Sequence, residues 1–141
     1  MDQKLNVMLV DDSRTVLAQL ERIVTEIDHV AVVGLARNGA AAIREAGESK
    51  PDLILMDVVM PGLDGLSALR TIKSKLPETE VVMVSSVGGD ARKAEEAFKL
   101  GASQVIGKPF DAEVIESIVE TVRTKLKEAA SHEAGSIKDI Q

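Results

Sequence analysis

The sequence predicts an open α/β fold, a five-stranded parallel sheet with five helices distributed over both faces. Short apolar runs alternate with amphipathic stretches along the chain, the pattern of repeated strand–helix units joined by right-handed crossovers. The first, third and fourth runs are apolar at nearly every position, as strands buried on both faces are. All four prolines (51, 61, 77 and 109) fall between the proposed elements, where a missing N–H breaks no ladder or helix.

The first strand, Val7 to Val10, runs into Asp11-Asp12, and Leu17, Leu20, Val24 and Ile27 then recur at helical spacing. Val30 to Ala36 is valine-rich and reads as the second strand. Gly39 to Ala46 predicts a short helix that Gly47 and the turn before Pro51 bring to an end. Leu53 to Met56 is the third strand and leads into Asp57. The segment Met60-Pro-Gly-Leu-Asp-Gly65 carries breakers at almost every step, with Asp64 a turn former. Leu66, Leu69, Ile72 and Leu76 mark a helix that stops near Pro77, and Val81 to Val84 is the fourth strand. Asp90, after Gly88-Gly89, is placed to cap a helix through Leu100 that Gly101 closes. Gln104 to Gly107 is the fifth strand, and Asp111 caps a last helix with Val114, Ile115, Ile118, Val122 and Leu126 on its inner face. From Glu128 the composition shifts to Ala-Ala-Ser-His-Glu-Ala-Gly-Ser, giving one domain over 1–127 and a flexible tail or frayed helix end over 128–141.

Composition narrows the class. The chain has 141 residues, 45% of them hydrophobic, enough for one packed core. A net charge of -6 argues against a nucleic-acid surface. Without cysteine there is no disulfide framework, and no apolar run is long enough to serve as a secretory signal or to span a membrane. The expectation is a cytoplasmic, acidic protein with no membrane insertion.

Asp11, Asp12, Asp57, Ser85 and Lys108 all lie at or just beyond the ends of apolar runs. In a parallel sheet those ends share one edge, where open α/β folds bind ligands. Three carboxylates in one pocket repel unless a cation intervenes, and Mg²⁺ suits one or two carboxylates completed by waters and phosphate oxygens, with Mn²⁺ as a substitute. Lys108 supplies a point charge for a phosphoryl oxygen and Ser85 a hydrogen bond to another. Asp57, central among them, is the candidate to attack phosphorus and become an acyl phosphate. Asp12 would bind the metal directly and Asp11 directly or through water, with the Val59 carbonyl completing the shell. A plainer alternative reads Asp11-Asp12-Ser13 as a helix cap alone.

The segments Leu9-Val-Asp-Asp-Ser13, Leu55-Met-Asp-Val-Val-Met-Pro-Gly-Leu-Asp-Gly65, Val82-Met-Val-Ser-Ser86 and Gly107-Lys-Pro-Phe110 together resemble the receiver domain of two-component response regulators, the CheY-like family. The resemblance runs from about Leu5 to Leu126. It implies a flavodoxin-like, doubly wound sheet in the order 2-1-3-4-5, an order that belongs to the family and not to anything in the spacing. It also implies Asp57 as phosphoacceptor, Asp11 and Asp12 as magnesium ligands, Ser85 as switch hydroxyl, Lys108 as phosphate partner and a cis Lys108-Pro109 bond. The implied donor is a histidine kinase or phosphotransfer protein. The implied output is a partner bound through the fourth helix, fifth strand and fifth helix, in chemotaxis or motility, by a monomer or weak dimer.

The chain departs from that family in places. Val105 stands where an aromatic switch residue is common, so shifts around Gly88-Gly89 would carry more of the change. Val59 and Val87, both apolar, flank the acceptor and imply a long-lived phosphoryl group. Other readings are a phosphate sink or relay, the receiver portion of a larger regulator such as a methylesterase, and a Mg²⁺-dependent phosphohydrolase. The last lacks the second aspartate two residues after Asp57, where Val59 stands. Gly101 to Lys108 has the wrong glycine spacing for a P-loop, and Pro109 replaces its Ser or Thr. His29 and His132 have no metal-ligand spacing, and Met8, Met56, Met60 and Met83 read as core.

Overall fold

A computed structural model of the protein describes residues 4–86 and 91–140, the last ten of these by backbone alone. The elements follow in strict alternation: β1 (Leu5–Val10), α1 (Arg14–Thr25), β2 (Val30–Ala36), α2 (Gly39–Ser49), β3 (Leu53–Asp57), α3 (Gly65–Lys75), β4 (Glu80–Ser85), α4 (Ala91–Lys99), β5 (Gln104–Gly107) and α5 (Ala112–Ile140). The strands form one sheet in the order β2-β1-β3-β4-β5, every pair parallel. All five carboxyl ends therefore meet one edge.

Both faces are covered, which is why the central strands carry so few polar residues. On one face Met8, Val10, Ile54, Met56 and Met83 pack under α2, α3 and α4 through Ala42, Ala46, Leu69, Ile72 and Ala97. On the other, Val7, Leu9, Leu55, Val82 and Val84 meet Leu17, Leu20 and Val24 of α1 and Ile115, Ile118, Val119 and Val122 of α5. Each large side chain buried this way stabilises the fold by roughly 1.5–3 kcal/mol. The four predicted methionines are all in the core.

Helix starts follow side-chain caps. Ser13 Oγ accepts from Val16 N–H at 3.2 Å, Asn38 Oδ1 from Ala41 at 2.8 Å, Asp64 Oδ1 from Ser67 at 2.8 Å and Asp111 Oδ1 from Val114 at 3.0 Å. Asp64 is thus more than a turn former.

Several boundaries differ from the sequence reading. β1 begins at Leu5, and β4 takes in Glu80 and Ser85. α2 runs through Gly47 to Ser49 and stops at left-handed Lys50, ahead of Pro51, whose ring disfavours further helix. Gly47 is solvent-exposed, so it weakens the turn by about 1 kcal/mol without breaking it. On α5, Val114 and Leu126 are exposed and Val119 is buried in their place, because the inner stripe follows Ile115, Ile118, Val119 and Val122. The α5 backbone is helical to Ile140. Val87, Gly88, Gly89 and the expected cap Asp90 lie outside the described residues. Among the described residues, no helix is long and apolar enough to cross a membrane.

Candidate functional site

Strand register brings the site together. Val10, the last residue of β1, pairs with Met56 of β3, so Asp11 and Asp57 emerge side by side on adjacent strands. Ser85 pairs with Gly107, and Lys108 N–H donates to the Ser85 carbonyl at 2.7 Å, which delivers the lysine to the same edge. The Lys108-Pro109 bond is cis.

Asp11 is 1% exposed and Asp57 4%, and one ammonium serves both. Lys108 Nζ lies 2.8 Å from Asp11 Oδ2 and 3.4 Å from Asp57 Oδ2. Asp11 Oδ1 accepts from Ser13 N–H at 2.9 Å, and Asp57 Oδ1 from Val59 N–H at 3.3 Å. Ser13 meanwhile caps α1, so the cap falls on Ser13 while Asp11 and Asp12 stand with Asp57.

One cation does not balance two buried carboxylates. Burial first, and then the charge of Asp11, push the Asp57 carboxyl above its ordinary 3.8, against the opposing pull of Lys108 and the Val59 N–H. Burial alone would lower Lys108. The hydrogen bond to Asp11 and the charges of Asp57 and Asp11 outweigh it and raise the ammonium above 10.5.

Asp12, which is exposed, completes a trio with Asp11 and Asp57 whose oxygens can all lie within 4.8 Å of one another. Asp11 Oδ2 has the Lys108 ammonium at 2.8 Å and no other partner among the described residues. A buried, under-satisfied carboxylate oxygen beside two others fits a hard divalent cation such as Mg²⁺.

The remaining predicted residues are placed less tightly. Ser85 is partly exposed at the end of β4, its Oγ 3.5 Å from the Ser86 carbonyl, a long contact. Val59, two residues after Asp57, is 57% exposed. Val105, in the aromatic position, is partly buried against the core.

Two residues escaped the sequence reading. Gly65 opens α3 with its N–H on the Val58 carbonyl at 2.9 Å, and a Cβ there would stand 2.1 Å from the Asp57 carbonyl oxygen. Only glycine lets α3 approach the backbone that presents Asp57. A glycine in a helix's first turn, where propensity disfavours it, was the available signal. Arg37, just after β2, donates from Nη2 to the Asp12 main-chain oxygen at 3.2 Å, and nothing in the sequence pattern announced it.

The family profile described as response regulator receiver domain matches residues 7–120. The chain is 36% identical over 120 residues to chemotaxis protein CheY of Listeria monocytogenes, a match covering 84% of this chain and 99% of that protein. It is 40% identical over 129 residues to the protein-glutamate methylesterase/protein-glutamine glutaminase of Archaeoglobus fulgidus, covering 90% of this chain and 36% of the relative. The chain thus spans only about a third of such methylesterase relatives. Among solved structures, the response regulator domain of Thermotoga maritima CheB superposes with a TM-score of 0.75 at 34% identity, over 86% of this chain and 96% of that one. The match to the Borrelia burgdorferi CheX-CheY-BeF3-Mg complex has a TM-score of 0.78 at 27% identity, over 85% and 90% of the two chains. By its doubly wound sheet, its carboxylate edge and these matches, the chain belongs to the response regulator receiver domain family.

Proposed function

We propose that Asp57 accepts a phosphoryl group from a histidine kinase or phosphotransfer protein, and that the chain is a switch and not a metabolic enzyme. The reading rests on one observation above all: Asp57 is buried at the sheet edge with a charge that Lys108 matches only in part. A carboxylate oxygen of Asp57 attacks phosphorus in line, the new O–P bond forming as the donor's P–N bond breaks, and the imidazole leaves neutral after taking up a proton. Lys108 then has a phosphoryl oxygen to pair with, and Ser85 donates to another. Magnesium, held by Asp11, Asp12, Asp57 and the Val59 carbonyl, would neutralise charge on the phosphoryl oxygens. Phosphorylation biases a conformer with a changed α4–β5–α5 surface, which binds a downstream protein in chemotaxis or motility. Residues 128–141 serve as a tail or as the end of α5.

The test is incubation with Mg²⁺ and acetyl phosphate or beryllofluoride. Wild type should be modified and Asp57→Asn should not; equal modification of both would move the acceptor elsewhere. Apolar Val59 and Val87 slow water's attack, so the phosphoryl group should outlast seconds in Mg²⁺. A half-life of seconds would remove that part of the reading.

The methylesterase relatives support a second reading, in which the same switch acts as the receiver portion of a larger regulator. Pull-down with and without beryllofluoride separates a stand-alone switch, which gains a partner, from a phosphate sink, which gains none.

A further inference from the structure

Lys108 is the cation inside the site, but it is not the only one at that edge. Arg37 follows Ala36, whose carbonyl accepts from Asp11 N–H at 3.1 Å, so β2 delivers its guanidinium beside the aspartate pair. One Nη2 hydrogen bond pins it on the Asp12 main chain. A guanidinium has five N–H donors, so this bond leaves most of them for a ligand. Arg37 also lines an open cleft of about 600 Å³ with Asp12, Asn38, Ala40, Pro61, Gly62 and Leu63. Asp12 belongs both to that cleft and to the carboxylate trio, so the cleft adjoins the trio through Asp12.

An acidic trio repels any phosphoryl dianion, and a cation at the mouth offsets that repulsion. A guanidinium does more than attract, because its planar fork matches a carboxylate. We propose that Arg37 binds the departing carboxylate when the donor is a small acyl phosphate, and so speeds transfer from that class of donor over donors with a neutral leaving group. The inference rests on Asp57 being the acceptor. As the Asp57 oxygen bonds to phosphorus, the P–O bond to the acyl group breaks and its electron pair leaves on the carboxylate oxygen. No proton is needed, and negative charge collects where Arg37 can meet it. Pro61, Ala40 and Leu63 give the short acyl chain an apolar wall.

A donor with a neutral leaving group gains nothing from that contact, and this gives the test. Wild type, Arg37→Ala and Arg37→Lys are phosphorylated in Mg²⁺ by acetyl phosphate and, separately, by phosphoramidate, whose leaving group is ammonia. Intact mass is the readout, since the chain has no tryptophan to follow. The ratio of the acetyl phosphate rate to the phosphoramidate rate should fall about fivefold in Arg37→Ala, the size of one solvent-exposed charged contact. Arg37→Lys, which keeps the charge but not the fork, should recover part of that ratio. An unchanged ratio overturns the proposal, including the case where both rates fall together because Arg37 merely holds Asp12. If neither donor modifies wild type, the acceptor reading itself fails.

Discussion

The two edges of the sheet treat polar groups in opposite ways. At the amino edge the side chains of Asp52, Thr79, Lys73 and Glu80 find short, matched partners. Asp52 Oδ2 accepts from Asn6 N–H at 2.8 Å, and Thr79 Oγ1 donates to the Pro51 carbonyl at 2.8 Å. Lys73 Nζ donates to the carbonyls of Pro77 and Thr79, both at 2.8 Å, and Glu80 Oε1 accepts from Ser103 and Lys125 at 2.8 and 2.9 Å. At the carboxyl edge two buried carboxylates share one ammonium, and Asp11 Oδ2 is under-satisfied. Hydrogen bonding at the first edge closes the structure. Charge at the second is left incompletely matched by the protein's own groups.

Asp57→Asn puts this contrast under its hardest test. All modification by acetyl phosphate should disappear. In metal-free buffer at neutral pH the variant should nonetheless be as stable as wild type or about 1 kcal/mol more so, because it removes a buried charge in excess of its partner. Asp57's folded pKa is raised, so ionising it costs stability above its ordinary 3.8, and the variant's advantage should fade as pH falls toward that value and be gone below it. Urea unfolding at several pH values reads this directly. Clear destabilisation at neutral pH would mean that the carboxyl edge is as well matched as the amino edge.

Gly65→Ala should be the most destabilising substitution at the carboxyl edge, by about 3 kcal/mol, since the added carbon meets backbone rather than a mobile side chain. It should also slow phosphorylation, because relief requires α3 or the Asp57 backbone to move. A stable, fully reactive variant would show that the close approach does not help position the acceptor.

The sheet and the acidic edge were legible because they rest on long-range regularities. Uninterrupted apolar runs reported strands with two buried faces, and the polar residues ending them reported a shared edge. What the sequence concealed depends on tertiary approach. Gly65 looked like one more loop breaker until the distance to Asp57 gave it a reason, and Arg37 looked like any surface arginine. Gly47 misled in the other direction, because an exposed glycine lowers helix stability without ending a helix that Ala42 and Ala46 anchor. Val114 was assigned to the inner face of α5 by hydrophobicity alone. Helical geometry gave the position to Val119.

Metal should complete the carboxyl edge and leave the amino edge untouched. At ten times its Kd, Mg²⁺ should stabilise wild type by about 1.4 kcal/mol by mass action. Asp12→Asn should lose most of that gain. Thermal unfolding with Mg²⁺ and with chelator checks it. An equal gain in Asp12→Asn would place the cation away from the trio.

The smallest effect belongs to the amino edge and has the opposite sign to that of Asp57→Asn. Burial acting alone would raise the Glu80 carboxyl, but the hydrogen bonds from Lys125 and Ser103, with the charges of Lys125 and Lys73, hold it below its ordinary 4.5. A depressed folded pKa contributes stability that is present above the unfolded value and is lost as pH falls through the folded one. Glu80→Gln should therefore destabilise at neutral pH, by under about 1 kcal/mol because Lys125 is more than half exposed and solvent screens the pair. The deficit should vanish in acid below the usual glutamate range, and acetyl phosphate should react with the variant at the wild-type rate. A variant as stable as wild type at pH 7 would mean that Ser103 and Lys125 decorate the amino edge without closing it, and the two edges would then differ less than their geometry indicates.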